Sequence, residues 1–120
     1  MRIPILRLED TLLVSIQVDI TDQDALNFQD DLLRMLSKTN AKGVIIDITA
    51  LDVVDSFIAR VINDTADMVR MLGAEIIISG MRPMVALTLI EMGRELIGVE
   101  TSLNLARGLE KLDCLIQERR

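Results

Sequence analysis

The chain has 120 residues, half of them apolar and 27% charged, with a formal net charge of −6. This composition excludes intrinsic disorder and suits a single domain over residues 1–120, while the acidic balance and scattered Lys and Arg argue against nucleic acid, whose phosphates need clustered cations. Histidine is absent and Cys114 is the single cysteine, so triad hydrolysis, zinc chemistry and an internal disulfide are all disfavoured. Neither a metal nor an organic cofactor is expected, since no Gly-rich phosphate loop follows a strand either. No apolar run reaches the roughly 20 residues of a membrane span, and the start Met1-Arg2-Ile3-Pro4 lacks a signal-peptide hydrophobic segment; a cytoplasmic protein is expected.

In chain order, Ile3 to Leu8 and Leu12 to Val18 are apolar runs separated by Glu9-Asp10-Thr11, the pattern of a hairpin. After Asp19-Ile20, Thr21 or Asp22 caps a helix to about Thr39, with Ala25, Phe28, Leu32, Met35 and Leu36 inward and Asn27, Gln29, Asp30, Asp31 and Arg34 towards solvent. Asn40-Ala41-Lys42-Gly43 ends that helix. Val44 to Ile48 is then β-branched at every position except Asp47, which predicts a strand buried on both faces. Strand, helix and strand in this order make a crossover between parallel neighbours.

A short acidic loop, Asp52 to Ser56, follows, and Asp55 or Ser56 is the natural N-cap of the next helix. There Phe57, Val61, Thr65, Met68 and Leu72 recur at three or four residues, with Arg60, Asn63, Asp64 and Asp67 opposite, until Gly73. Glu75 to Ser79 predicts another buried strand, and Pro83 opens a third helix through Glu91 that is apolar at Val85, Leu87, Leu89 and Ile90. Leu96 to Val99 is expected as a short edge strand. Ser102 or Asn104 then caps a last helix striped by Leu105, Leu109, Leu112 and Ile116. With few aromatics in the chain, Met68, Met71, Met81, Met84 and Met92 are expected mostly in the core, and Cys114 as packing. The result is an α/β fold: a mixed four- to five-stranded sheet with about four helices, in the order β-β-α-β-α-β-α-(β)-α, with the first strand antiparallel at an edge.

In such sheets function gathers at the carboxyl ends of the strands, where Asp47 and the Asp52 to Ser56 loop lie. Asp19, Asp22 and Asp24 follow the second strand, and they either border the same surface or serve as turn acids and a helix cap. A phosphoaspartyl receiver domain has comparable length and alternation, but it needs a Lys after a late strand; the only lysines are Lys38, Lys42 and Lys111.

The order of elements, with Val44-Ile45-Ile46-Asp47-Ile48-Thr49 followed by Asp55-Ser56, resembles the STAS family, the domain shared by sulphate transporters and anti-sigma factor antagonists. The blocks Ile3-Pro4-Ile5-Leu6, Leu13-Val14-Ser15-Ile16-Gln17, Asp55-Ser56-Phe57-Ile58-Ala59 and Val85-Ala86-Leu87-Thr88-Leu89-Ile90-Glu91 are most similar to its stand-alone bacterial stressosome scaffolds. Many STAS proteins carry a small residue and a glycine after the phosphoacceptor; Phe57 and Ile58 stand there in this chain and favour the stressosome branch. The resemblance implies a non-enzymatic scaffold and antagonist, phosphorylated at Ser56, with Asp52, Asp55, Phe57, Ile58, Asp19 and Thr21 at a partner surface. The implied partners are an RsbR-type STAS co-antagonist, an RsbT-type serine kinase released on phosphorylation, an RsbX-type phosphatase, and further copies in a homo- or hetero-oligomeric assembly serving the general stress response. A simple anti-anti-sigma factor and a soluble STAS subunit of a transporter are the alternatives on the same fold.

Overall fold

The β-branched runs around Ile45 and Ile77 pair as parallel neighbours, and the other elements are laid against them. The computed structural model describes residues 3–17, 19–93 and 99–118. Its elements are β1 (Ile5–Leu8), β2 (Thr11–Ser15), α1 (Asp22–Thr39), β3 (Gly43–Asp47), α2 (Ser56–Met71), β4 (Glu75–Ser79), α3 (Pro83–Glu91), β5 (Glu100–Ser102) and α4 (Leu105–Glu118). The sheet runs β1-β2-β3-β4-β5, with β1 antiparallel to β2 and every other pair parallel. The mixed sheet with an antiparallel first edge strand agrees with the sequence reading.

The fifth strand forms later than expected. The sequence pointed to Leu96–Val99; residues 94–98 lie outside the described residues, Val99 is not in a strand, and pairing with β4 begins at Glu100. An edge strand as polar as Glu100-Thr101-Ser102 is specified by backbone pairing with its neighbour and not by hydrophobicity.

Alternation along the strands splits the core in two. Leu12, Val14, Val44, Ile46, Ile76 and Ile78 face a layer built from α1, α2 and α3, whereas Ile45 and Ile77 face Leu112 and Ile116 of α4. Helix α4 lies close to the sheet because residue 108 is glycine: a Cβ there would stand 2.8 Å from Ser102 Oγ and 3.6 Å from both Ile45 and Ile77.

The buried stripe of α2 differs in phase from the expected one. Ile58, Val61, Ile62, Thr65, Ala66 and Val69 are buried, while Met68 and Leu72 are exposed and Asn63, expected on the outer side, is buried. The apolar pair Phe57-Ile58 allows either residue to set the phase, and contact with both the sheet and α1 selects Ile58. Gln29, expected towards solvent, is part of that contact, since its Nε2 donates to Thr65 Oγ1 at 3.0 Å. The methionine expectation is also corrected. Met71 is 83% exposed and Met68 and Met84 are exposed too, with only Met81 and Met92 of this group packed against the core; Ile, Val, Leu and Ala side chains with Phe28 fill the fully buried interior.

Helix α1 starts with a capping box. Asp24 N–H donates to Thr21 Oγ1 at 3.0 Å and Thr21 N–H donates to Asp24 Oδ2 at 3.2 Å. These bonds satisfy two otherwise orphaned donors. The bond from the Thr21 backbone, followed by the side-chain bond with Thr21, holds the Asp24 carboxyl below its ordinary pKa. Thr21→Ala should therefore cost about 1 kcal/mol in denaturant unfolding. Because the folded-state pKa of Asp24 is depressed, its contribution is present above the unfolded Asp value of about 3.9 and is lost as pH falls through the folded value. Asp24→Asn should flatten that part of the acid dependence of the unfolding midpoint.

Candidate functional site

Parallel register sets a polar row across the carboxyl ends of the strands, with Ser15 opposite Asp47, Asp47 opposite Ser79, and Ser79 opposite Ser102. Asp47 is half-buried and cannot rely on bulk water alone. Its Oδ1 accepts from Thr49 Oγ1 at 2.6 Å and from Ser79 Oγ at 3.0 Å. Two hydroxyls thus take the place of lost hydration at this carboxylate. Backbone pairing continues past the strands, with Ile16 N–H donating to Asp47 O and Ile48 N–H to Ser79 O, both at 2.9 Å.

Beyond this row the chain enters the acidic loop. Asp55 is the N-cap of α2, and its Oδ1 accepts from Ile58 N–H at 2.8 Å. Ser56 is therefore the first helical residue and not the cap; it is exposed, and its hydroxyl makes no hydrogen bond to a described residue. An unpartnered hydroxyl at a helix N-terminus is open to a reagent, and an anion formed there meets free backbone N–H groups and the positive end of the helix dipole.

The sequence-predicted partner residues come together in part. Asp19, Asp52, Asp55 and Ile58 line one cleft of about 290 Å³, completed by Ile20, Leu51, Val53 and Val54. Asp19 is placed by a left-handed turn, φ 61°, between β2 and α1. Thr21 and Phe57 lie outside this lining, Thr21 as the cap of α1 and Phe57 half-buried against the core. Ile58 is 5% exposed, so it forms the cleft's floor; the exposed apolar residue of the loop is Val53, at 65%. A larger cleft, about 530 Å³, is lined by Leu36, Lys42, Gly73 and their neighbours at the opposite, amino end of the parallel strands. It brings together none of the loop residues.

Two contributors escaped the sequence reading. Arg82 Nε donates to the Thr49 carbonyl at 2.8 Å and stands 3.3 Å from Asp52 Oδ1. Ser79 anchors Asp47 from the neighbouring strand. A serine closing a strand with three isoleucines at its centre, and an arginine just before Pro83 where a capping residue is usual, were the available signals. The receiver-like alternative fits poorly, because Lys42 Nζ pairs with Asp10 at 3.9 Å and Lys111 Nζ with Glu100 at 2.8 Å, while Asp47 Oδ1 is engaged by two hydroxyls. Among the described residues, no group of three or more acidic or cysteine side chains converges on a metal-sized site, and no helix is long and apolar enough to cross a membrane.

A family model described as the STAS domain matches residues 2–107. The chain belongs to the STAS domain family. A serine-to-glutamate variant of RsbS from Moorella thermoacetica is 40% identical and superposes with a TM-score of 0.88 over 96% of this chain and 97% of that one. A chain from a structure of the stressosome, described as a signal integration and transduction hub, is 42% identical with a TM-score of 0.84, over 93% of this chain and 97% of its own. The RsbT co-antagonist protein RsbRA of Bacillus subtilis (strain 168) is 33% identical over 91 residues, which are 76% of this chain and 33% of RsbRA. The chain thus spans about a third of the length of such co-antagonist relatives. Within the STAS family it is RsbS-like.

The capping assignment has a direct test. Ser56→Ala should leave the unfolding free energy within about 0.5 kcal/mol of the parent, since it removes an exposed group without a partner. Asp55→Ala should cost about 1 kcal/mol by freeing the Ile58 amide. A larger loss in Ser56→Ala than in Asp55→Ala would return the cap to Ser56.

Proposed function

We propose that this protein is a non-enzymatic scaffold and antagonist of a stressosome-type assembly, which holds an RsbT-type serine kinase and releases it when Ser56 is phosphorylated. The observation that carries this reading is the exposed, unpartnered Ser56 hydroxyl at the start of α2, in a chain that is RsbS-like over nearly its whole length. In the reaction, Ser56 Oγ bonds to the γ-phosphorus of ATP, the bond to ADP breaks, and the hydroxyl proton passes to a base of the kinase. Hydrolysis by an RsbX-type phosphatase restores the serine and yields inorganic phosphate.

The surroundings of Ser56 suit a docking switch. A phosphoserine carries about −1.5 to −2 charges at neutral pH. The helix N-terminus favours it by about 0.3–1 kcal/mol, while Asp52 and Asp55 oppose it. The fold is then nearly indifferent to phosphorylation and the surface is not. Asp19, Asp52, Asp55, Val53 and half-buried Phe57 form the unmodified docking surface, on which a fixed negative group disturbs both charge and fit. The neighbours RsbRA and RsbRD, named as RsbT co-antagonists, support an RsbR-type partner in a homo- or hetero-oligomeric cytoplasmic assembly. The general stress response is the proposed output, and neither the scaffold role nor the switch requires a cofactor.

Incubation with the cognate kinase and Mg-ATP, followed by peptide mass mapping, should find one phosphate, on Ser56, and none in Ser56→Ala. Phosphate confined to Thr49 or Thr21 would overturn the assignment. Ser56→Asp should retain stability within about 0.5 kcal/mol and bind the kinase more weakly than the parent.

A further inference from the structure

Arg82 occupies the N-cap of α3, yet its side chain makes no capping bond. Ser, Thr, Asp and Asn are favoured there, and the helix dipole opposes a cation at that end. An arginine in this place is accounted for by what it reaches. Its Nε spans from the turn after β4 to the loop after β3, donating to the Thr49 carbonyl at 2.8 Å and lying 3.3 Å from Asp52 Oδ1.

The turn that carries Arg82 is shaped for the same contact. Gly80 has φ +75°, and a Cβ on it would collide with the Thr49 hydroxyl and approach Asp47 Oδ1 to 3.1 Å. The hydroxyl of Thr49 is held in its turn by Asp47 at 2.6 Å. The first half of the β3–α2 loop is therefore fixed at the Thr49 hydroxyl, the Thr49 carbonyl and the Asp52 carboxylate. Its second half is fixed where Asp55 caps α2. Two of these ties come from Arg82, the others from the loop's own strand and helix.

We propose that Arg82 is a positioning residue, strapping the β3–α2 loop in the conformation that presents Ser56 to the kinase. The inference rests on the reading of Ser56 as phosphoacceptor, but the strap can be measured without a kinase. Both Arg82 and Asp52 are largely exposed, and an exposed ion pair alone contributes little. The effect is accordingly expected in the loop's local order and not in global stability.

The test uses the full chain with Arg82→Gln and Arg82→Lys, comparing amide exchange at Leu51, whose N–H donates to Ile48 O at 3.0 Å, with exchange at Ile46 inside β3. In Arg82→Gln, Leu51 exchange should rise about 2- to 10-fold, the range for loss of one ordinary hydrogen bond, while Ile46 exchange and the melting temperature stay with the parent. The kcat/KM for Ser56 phosphorylation by an RsbT-type kinase should fall, and Arg82→Lys, which keeps a charged donor, should recover part of both effects. Unchanged Leu51 exchange in Arg82→Gln would overturn the strap. Increased exchange with undiminished phosphorylation would overturn its role in presentation. A parent protein that takes no phosphate on Ser56 while Leu51 exchange responds would instead overturn the phosphoacceptor reading.

Discussion

The site depends on how Asp47 is satisfied at the end of a buried strand. A carboxylate removed from part of its hydration is costly without hydrogen-bond donors. Strand register supplies one from Ser79, and the chain turns so that Thr49 supplies the other. That turn sets where the loop after β3 begins, and the glycine at position 80 leaves the space into which Thr49 fits. The local polar network is thus a consequence of parallel pairing between β3 and β4 and the direct cause of the loop's position.

The loop has a fixed frame, and two groups on its surface stay uncommitted. Thr49 and Asp52 are tied at its start and Asp55 at its end, whereas Val53 is exposed and the Ser56 hydroxyl has no partner among the described residues. Such a combination permits a surface change without refolding. The cleft rests directly on the core, since its lining residues Leu51 and Ile58 are buried members of the larger cluster. Asp19 reaches the same cleft from the turn after β2, so residues from separate segments contribute carboxylates to one small area. A partner that reads this area can respond to added negative charge even though α2 is barely altered.

Most of the fold was legible because its signals are local. The β-branched runs marked β3 and β4, Thr21 marked the start of α1, and Pro83 marked the start of α3. The elements misread are those decided by tertiary contact. The phase of α2 turned on whether Phe57 or Ile58 faces inward, which the helix alone leaves open and packing on α1 decides. Exposed Met71 and Met84 could not be told from core methionines by composition, and β5 is specified by β4 pairing in a polar segment. At the site, the cleft residues Asp19, Asp52 and Asp55 were visible as polar residues following strands. The reach of Arg82 to Thr49, between residues far apart in sequence, was not.

In the proposed switch, the charge state of Ser56 governs how tightly a kinase is held. Titration calorimetry of an RsbT-type kinase against the unmodified protein and against protein phosphorylated stoichiometrically on Ser56 tests it most directly. Binding to the unmodified form is expected, with at least about tenfold weaker binding, roughly 1.4 kcal/mol, to the phosphorylated one. Equal affinity for the two forms, or binding that requires the phosphate, would contradict it.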